Sequence, residues 1–178
     1  MPEEEALAPD PEPERLPEWL DGLRSELGDA IASIAGVTGG GGPADLPTIT
    51  ARAEAWLQVI AAVAAQGFGL FVDLGGVDRL PREPRFDLVV HLRDVDTGRL
   101  VRVRTEVAEG QVMPSISAVY PASAWPEREV FDLLGIPFQG HPDFRRLLLP
   151  DDWEGHPLRR DYPLTGPRAL DPESRYAL

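Results

Sequence analysis

The 178-residue chain contains no cysteine and no lysine. The missing cysteine excludes disulfides, and it excludes a cysteine-ligated iron–sulfur cluster or zinc finger within this chain. Any electron transfer the chain serves is therefore expected to run through other chains. The missing lysine disposes of the glycine-rich run from Gly36 to Pro43 as a phosphate loop, which needs Lys-Ser or Lys-Thr behind it. All seventeen basic residues are arginine, a usage that reads as nucleotide-composition bias. Positive charge is scarce overall, and a formal net charge of −13 argues against non-specific binding to nucleic acid or anionic membranes. The first fifteen residues, MPEEEALAPDPEPER, are acidic and proline-rich, the opposite of a secretory signal or an arginine-rich transit peptide. A cytoplasmic bacterial protein is expected. The longest uncharged run, Ala55 to Val72, is interrupted by Gln58, Gln66, Gly67 and Gly69, so it reads as a buried helix followed by a buried strand and not as a membrane span.

What is present implies one domain with extensions. Residues 1–15 are expected to be disordered. Leu16, Trp19, Leu20, Leu23, Leu27, Ile31 and Ile34 keep helical spacing up to Gly36, which predicts one amphipathic helix, with a glycine-rich linker completing a segment 16–45. A core domain follows over 46–135. In it, Leu46 to Ile49 predicts a short strand, Thr50 the cap of a helix from Ala51 to about Gln66, and Phe68 to Leu74 a buried strand. Phe86, Leu88, Val90 and Leu92 alternate, Asp96-Thr97-Gly98 signals a turn, and Val101, Val103, Thr105 and Val107 return, which predicts a hairpin. Ser115 to Tyr120 reads as a helical turn. The order implies an α+β fold: a two-layer small domain with helices on a mixed β-sheet, an N-terminal amphipathic helix and a long extended C-terminal arm over 136–178.

The richest stretch is Trp125 to Leu164. Pro126 suits a first helical position, Val130, Phe131 and Leu134 recur at helical spacing, and Gly135 suits the C-terminus. On this helix Arg128, Glu129 and Asp132 fall on the polar side, with Arg128 and Asp132 one turn apart and able to pair. Glu127 falls on the apolar side and needs a partner, for which Arg145 or Arg146 is the expected candidate. Prolines 137, 142, 150, 157 and 163 then forbid a lasting helix or central strand. A loose repeat runs through this arm: Gly140-His141-Pro142 leading to Arg145-Arg146, then Gly155-His156-Pro157 leading to Arg159-Arg160. Arginine pairs alternating with Leu, Phe, Trp and Pro suit a protein interface better than a solvated tail, so much of the arm's burial is expected to come from partners.

The pattern Glu127-Arg128-Glu129, Asp132-Leu133-Leu134, Gly140-His141-Pro142 and Arg145-Arg146-Leu147-Leu148 resembles the signature of the 30-kDa subunit family of respiratory complex I, the C-type subunit of bacterial NADH–quinone oxidoreductase. The later run from Trp153 through His156, Arg159, Arg160, Asp161 and Tyr162 to Leu164 resembles that family's second signature, with Arg160 where Lys is frequent. The resemblance implies an accessory, cofactor-free subunit of the hydrophilic arm of a proton-pumping NADH–quinone oxidoreductase. Implied partners are the 49-kDa-type quinone-site subunit and the iron–sulfur subunits of the B and I types, and the iron–sulfur clusters, FMN and quinone are expected in partner subunits. The implied place is peripheral, on the cytoplasmic face of the bacterial plasma membrane. Two other readings stay open at this point. One is the equivalent subunit of a related membrane-bound hydrogenase or a ferredoxin- or F420-linked complex. The other is a stand-alone enzyme using Glu127, Glu129, Asp132, His141, Asp143, His156 and Asp161 as acid–base groups or metal ligands.

Overall fold

A computed structural model describes residues 17–36 and 46–164. The acidic N-terminus, most of the glycine-rich linker and the last part of the arm lie outside the described residues. In chain order the elements are α1 (Glu18–Leu27), β1 (Ile31–Ala35), β2 (Thr48–Ala51), α2 (Trp56–Ala65), β3 (Leu70–Asp78), β4 (Phe86–Arg93), β5 (Leu100–Val107), β6 (Met113–Pro114), α3 (Ala124–Leu134) and β7 (Phe138–Gln139).

The sheet is mixed, in the order β1-β2-β5-β4-β3, and β2 and β5 are its parallel pair. The predicted hairpin is present, with Phe86 opposite Val107 and Arg93 opposite Leu100. Its alternating residues Phe86, Leu88, Val90, Leu92, Val101, Val103, Thr105 and Val107 are all buried on one face. Against that face lie Leu20, Leu23 and Leu27 of α1 and Trp56, Val59, Ile60 and Val63 of α2. Each such side chain contributes roughly 1.5–3 kcal/mol on burial, which makes this the main source of the domain's stability. The turn between β4 and β5 is tied to the end of α2. Arg99 donates to the Gln66 carbonyl at 3.0 Å and to Asp94 at 2.6 Å, and lies 4.9 Å over the Phe68 ring.

Several predicted boundaries move. The helix expected up to Ile34 stops at Leu27, because Gly28 takes a φ of 49° and turns the chain. Ile31 and Ile34 then belong to β1, an edge strand paired with β2. Thr50 lies in β2 and does not cap α2, which begins at Trp56 after a single tight turn. The short β6 and β7 pair in parallel and were not predicted. The start of α3 is earlier than expected, at Ala124, which puts Pro126 inside its first turn where its missing N–H costs little. No helix among the described residues is long and apolar enough to cross a membrane.

Candidate functional site: the arm folded over helix α3

Two residues of α3 organise the region. Glu127 points inward as predicted, with no exposed surface. Its partners are not arginines. Oε2 accepts from the Ser115 hydroxyl at 2.6 Å, and Oε1 accepts from the Ile116 N–H at 2.7 Å and the Ser123 hydroxyl at 3.2 Å. The expected pairing with Arg145 or Arg146 is therefore corrected, since both guanidinium groups are engaged elsewhere. Burial pushes the Glu127 carboxyl above its ordinary range, and its three donors offset this only in part.

Asp132, expected on a solvated face, is fully buried. Burial opposes its charge, but the amides of Leu149, Leu148 and Leu147 and the Arg146 guanidinium outweigh that and hold the carboxyl below the usual range. Three successive N–H groups converge on Oδ2, from Leu147 at 3.1 Å, Leu148 at 2.7 Å and Leu149 at 2.8 Å, while Arg146 donates to Oδ1 at 2.6 Å. The expected Arg128–Asp132 pair does not form. Arg128 donates instead to the carbonyls of Arg145 and Arg146, at 3.0 and 2.8 Å, and stacks 5.0 Å from the Trp125 ring. The physical reason is that the arm returns over the side of α3 that a helical wheel assigns to water.

The histidine repeat supplies the two ends of this return. His141 Nε2 donates to the Ala124 carbonyl at the start of α3 (2.8 Å), and its Nδ1 accepts from the Asp143 N–H (3.0 Å), which uses both ring nitrogens. His156 Nδ1 donates to the Asp132 carbonyl near the helix end (2.9 Å), and burial lowers its pKa. Gly135 closes α3 with φ 77°, and a Cβ there would lie 2.5 Å from His156 Cδ2, so glycine is required by both conformation and space. Arg159 caps the helix by donating to the Leu134 carbonyl at 2.7 Å, where a cation also suits the helix dipole.

A second anchor joins the arm to the sheet. Arg85, 2% exposed, forms paired contacts with Asp78 (2.7 and 3.1 Å) and with Asp161 (2.6 and 3.1 Å), and a further one with Glu109 at 3.0 Å. Arg159 reaches the other oxygen of Glu109 at 2.8 Å, and the Arg160 N–H donates to Asp78 at 2.8 Å. Arg85 holds the Asp78 carboxyl well below the usual carboxylate range. Neither Arg85 nor Asp78 was expected as a site residue. The available signal was an arginine next to an apolar strand, Arg85 before Phe86, too common to single out.

The remaining predicted residues divide between support and surface. Trp153 presents its carbonyl to Arg146 (2.7 Å), and Tyr162 donates to the Glu154 carbonyl (3.2 Å) with its ring over Gly155. Glu129 is exposed on α3, and Arg145 is exposed and meets Asp143 at 3.0 Å. Trp125, Phe144, Leu148 and Leu158 also remain exposed. Among the described residues no group of three or more His, Asp or Glu is placed to hold a metal.

Glu127 supports a test. Glu127→Ala leaves the Ile116 N–H unsatisfied and is expected to cost about 1–3 kcal/mol plus the cavity, whereas Glu127→Gln keeps an acceptor and costs less. Because the folded carboxyl titrates above its unfolded counterpart, its contribution to stability is largest in acid and falls as pH rises through about 4 toward the folded pKa. Urea melts across pH 3–7 are expected to lose that slope in Glu127→Gln; an unchanged slope would assign it elsewhere.

Residues 49–168 match the family described as the respiratory-chain NADH dehydrogenase 30 kDa subunit. A protein of Methylobacterium sp. (strain 4-46), the C subunit of its NADH-quinone oxidoreductase, is 51% identical over 102 residues, covering 57% of this chain and 47% of the relative. The corresponding NADH-quinone oxidoreductase protein of Caulobacter vibrioides is 40% identical over 141 residues, covering 78% and 72%. Against the Methylobacterium relative, this chain spans about half the relative's length. Among solved structures, a trypsin-resistant fragment (1–134) of Nqo5 is 29% identical with a TM-score of 0.60, over 71% of this chain and 96% of the fragment. A chain of the membrane-bound sulfane sulfur reductase, an archaeal respiratory membrane complex, has a TM-score of 0.69 at 23% identity over 83% of this chain and 85% of that one, a likeness of fold.

Proposed function

The chain belongs to the respiratory-chain NADH dehydrogenase 30 kDa subunit family, and from that premise we propose that it is a non-catalytic assembly subunit of a proton-pumping NADH–quinone oxidoreductase. In this reading it lies in the hydrophilic arm, peripheral to the cytoplasmic face of the membrane. It holds the 49-kDa-type quinone-site subunit and the iron–sulfur subunits of the B and I types in register, so that clusters, FMN and quinone in its partners keep their spacing. The chain supplies no thiolate for a cluster of its own.

One observation carries the reading. The arm is fixed in place by Asp132, Arg146, Arg159 and the Arg85 network, and its Phe144, Arg145, Leu148 and Leu158, like Trp125 on α3, still remain exposed. Exposed aromatic, apolar and arginine side chains on an ordered backbone are what an interface presents, because the ordering entropy is spent before the partner arrives. Glu127, Asp132, His141, His156 and Asp161, which an enzyme would need, are engaged as fasteners. The reading divides the chain into an N-terminal tail (1–15), a helix and linker (16–45) from which β1 joins the sheet, a core (46–135) and a partner-binding arm (136–178).

The test deletes part of the arm. Ile136 and Phe138 are buried with the core, so the deletion starts after Gly140. The shortened chain is expected to keep the circular dichroism of a folded α+β domain and to be missing from the assembled complex on native gels. Normal incorporation would overturn the interface assignment.

A further inference from the structure

The helices cover one face of the sheet, and the opposite face carries a polar trough of about 380 Å³. Strand register sets its contents. Across one row, Thr48 of β2 faces Arg102 of β5, which faces His91 of β4, which faces Asp73 of β3. In the next row Arg104 faces Val89, and Val89 faces Gly75. A Cβ on Gly75 would meet nothing within 4 Å, so the trough floor is bare backbone there.

Its charges are unequally matched. Asp87 is taken by Arg79 at 2.9 Å and Arg82 at 2.5 Å, and Glu106 by Arg104 at 3.1 Å. Arg102 differs: its side chain makes one hydrogen bond among the described residues, from Nε to His91 Nε2 at 3.0 Å, and no carboxylate among them lies within 4.0 Å of it. Because the guanidinium can only donate, His91 Nε2 accepts, and Nδ1–H is left as a further donor. Arg104 Nε is buried and unpartnered among the described residues. The trough thus gathers the Arg102 fork, the His91 Nδ1–H and the Arg104 Nε–H as donors that make no further hydrogen bond among the described residues, with Asp73 across the strand from His91.

We propose that this trough seats an extended segment of a neighbouring subunit that places an Asp or Glu carboxylate on Arg102. The inference rests on the assembly reading above and adds a second contact surface on the face of the sheet away from the helices. Charge complementarity selects the occupant. Arginine forks suit a planar carboxylate, while the exposed Asp73 across from His91 repels a free polyanion and welcomes the amide donors of a peptide. Bare backbone at Gly75 lets an extended chain lie close.

The experiment replaces the chromosomal copy with full-length variants and measures incorporation on native gels. Arg102→Glu is expected to lower incorporation about ten-fold or more, since a like-charge contact replaces an attractive one, with Arg102→Gln in between. Circular dichroism of each purified variant checks folding. A photo-crosslinking p-benzoylphenylalanine at Val77, on the trough's exposed rim, is expected to capture a partner peptide bearing Asp or Glu, and changing that acid to Arg to restore the Arg102→Glu variant. Wild-type incorporation of Arg102→Glu would overturn the proposal, as would a crosslink to this chain's own residues 1–14 or to a peptide without a carboxylate. The deletion after Gly140 is run alongside. If it abolishes incorporation while Arg102→Glu does not, the assembly reading stands and the trough proposal falls; a wild-type chain absent from every assembly overturns both.

Discussion

Asp132→Ala is expected to release the arm from α3 while the sheet stays folded. The substitution removes the acceptor of three backbone amides and the partner of Arg146, whose side chain is 16% exposed in the docked state. Stranding buried donors and a guanidinium costs about 3–5 kcal/mol, and the chain can avoid that cost by letting the segment after Gly140 swing into water. Cleavage of a transiently opened segment follows the population of the open form, so a loss of about 3 kcal/mol raises the rate of tryptic cutting at Arg145 and Arg146 roughly a hundred-fold. Asp132→Asn keeps one acceptor and should fall between. Unchanged protection at those two arginines would show that other contacts hold the arm.

Arg85→Met is expected to act on the whole domain. Asp78 and Arg85 are each 2% exposed, so removing the cation leaves a buried carboxylate at the junction of β3 with the β4 strand, and a loss of about 3–5 kcal/mol follows. Replacing both residues, as Arg85→Met with Asp78→Leu, is expected to recover much of it, because an apolar pair needs no solvation. The pH dependence has a definite sign. The folded Asp78 titrates well below its unfolded value of about 3.9. Its contribution is complete above about pH 4 and is lost as pH falls below that toward the folded pKa. Urea melts of wild type and Arg85→Met at pH 7 and pH 3 should therefore converge in acid. A constant difference between them at both pH values would remove Asp78 as the cause.

The hairpin of β4 and β5 was legible because its pattern is local: a strict two-residue alternation around Asp96-Thr97-Gly98 leaves one register that puts Phe86, Leu88, Val90 and Leu92 together in the core. The edge strand β1 was not, because Ile31 and Ile34 continue the three- and four-residue spacing of Leu20, Leu23 and Leu27, and periodicity alone cannot see the turn at Gly28. Glu127 was correctly turned inward by its place on the helix. Its partners were missed because serine hydroxyls and one amide can satisfy a carboxylate as well as an arginine can. Asp132 failed in the opposite way: the wheel takes water as the neighbour of a polar face, whereas here the chain's own arm is the neighbour. Contacts such as Arg85 with Asp161 join residues far apart in the chain, and no short-range pattern encodes them. The repeat of Gly-His-Pro was visible as a repeat, but its meaning, one histidine fastened to each end of α3, depends on the fold.

The parallel pairing of β2 with β5 sets an order in time. Thr48 and Arg102 are partners, and bringing their strands together closes a loop roughly nine times longer than the turn between β4 and β5, at a further entropic cost of about 2 kcal/mol. The hairpin is thus positioned to form first and to serve as the template onto which β2 later adds. During synthesis, α1, α2 and the ribbon of β1 with β2 emerge before β5 exists, and the apolar sides of both helices have no sheet to cover them. The interval most open to self-association is therefore the one in which the first third of the chain waits for its central strand.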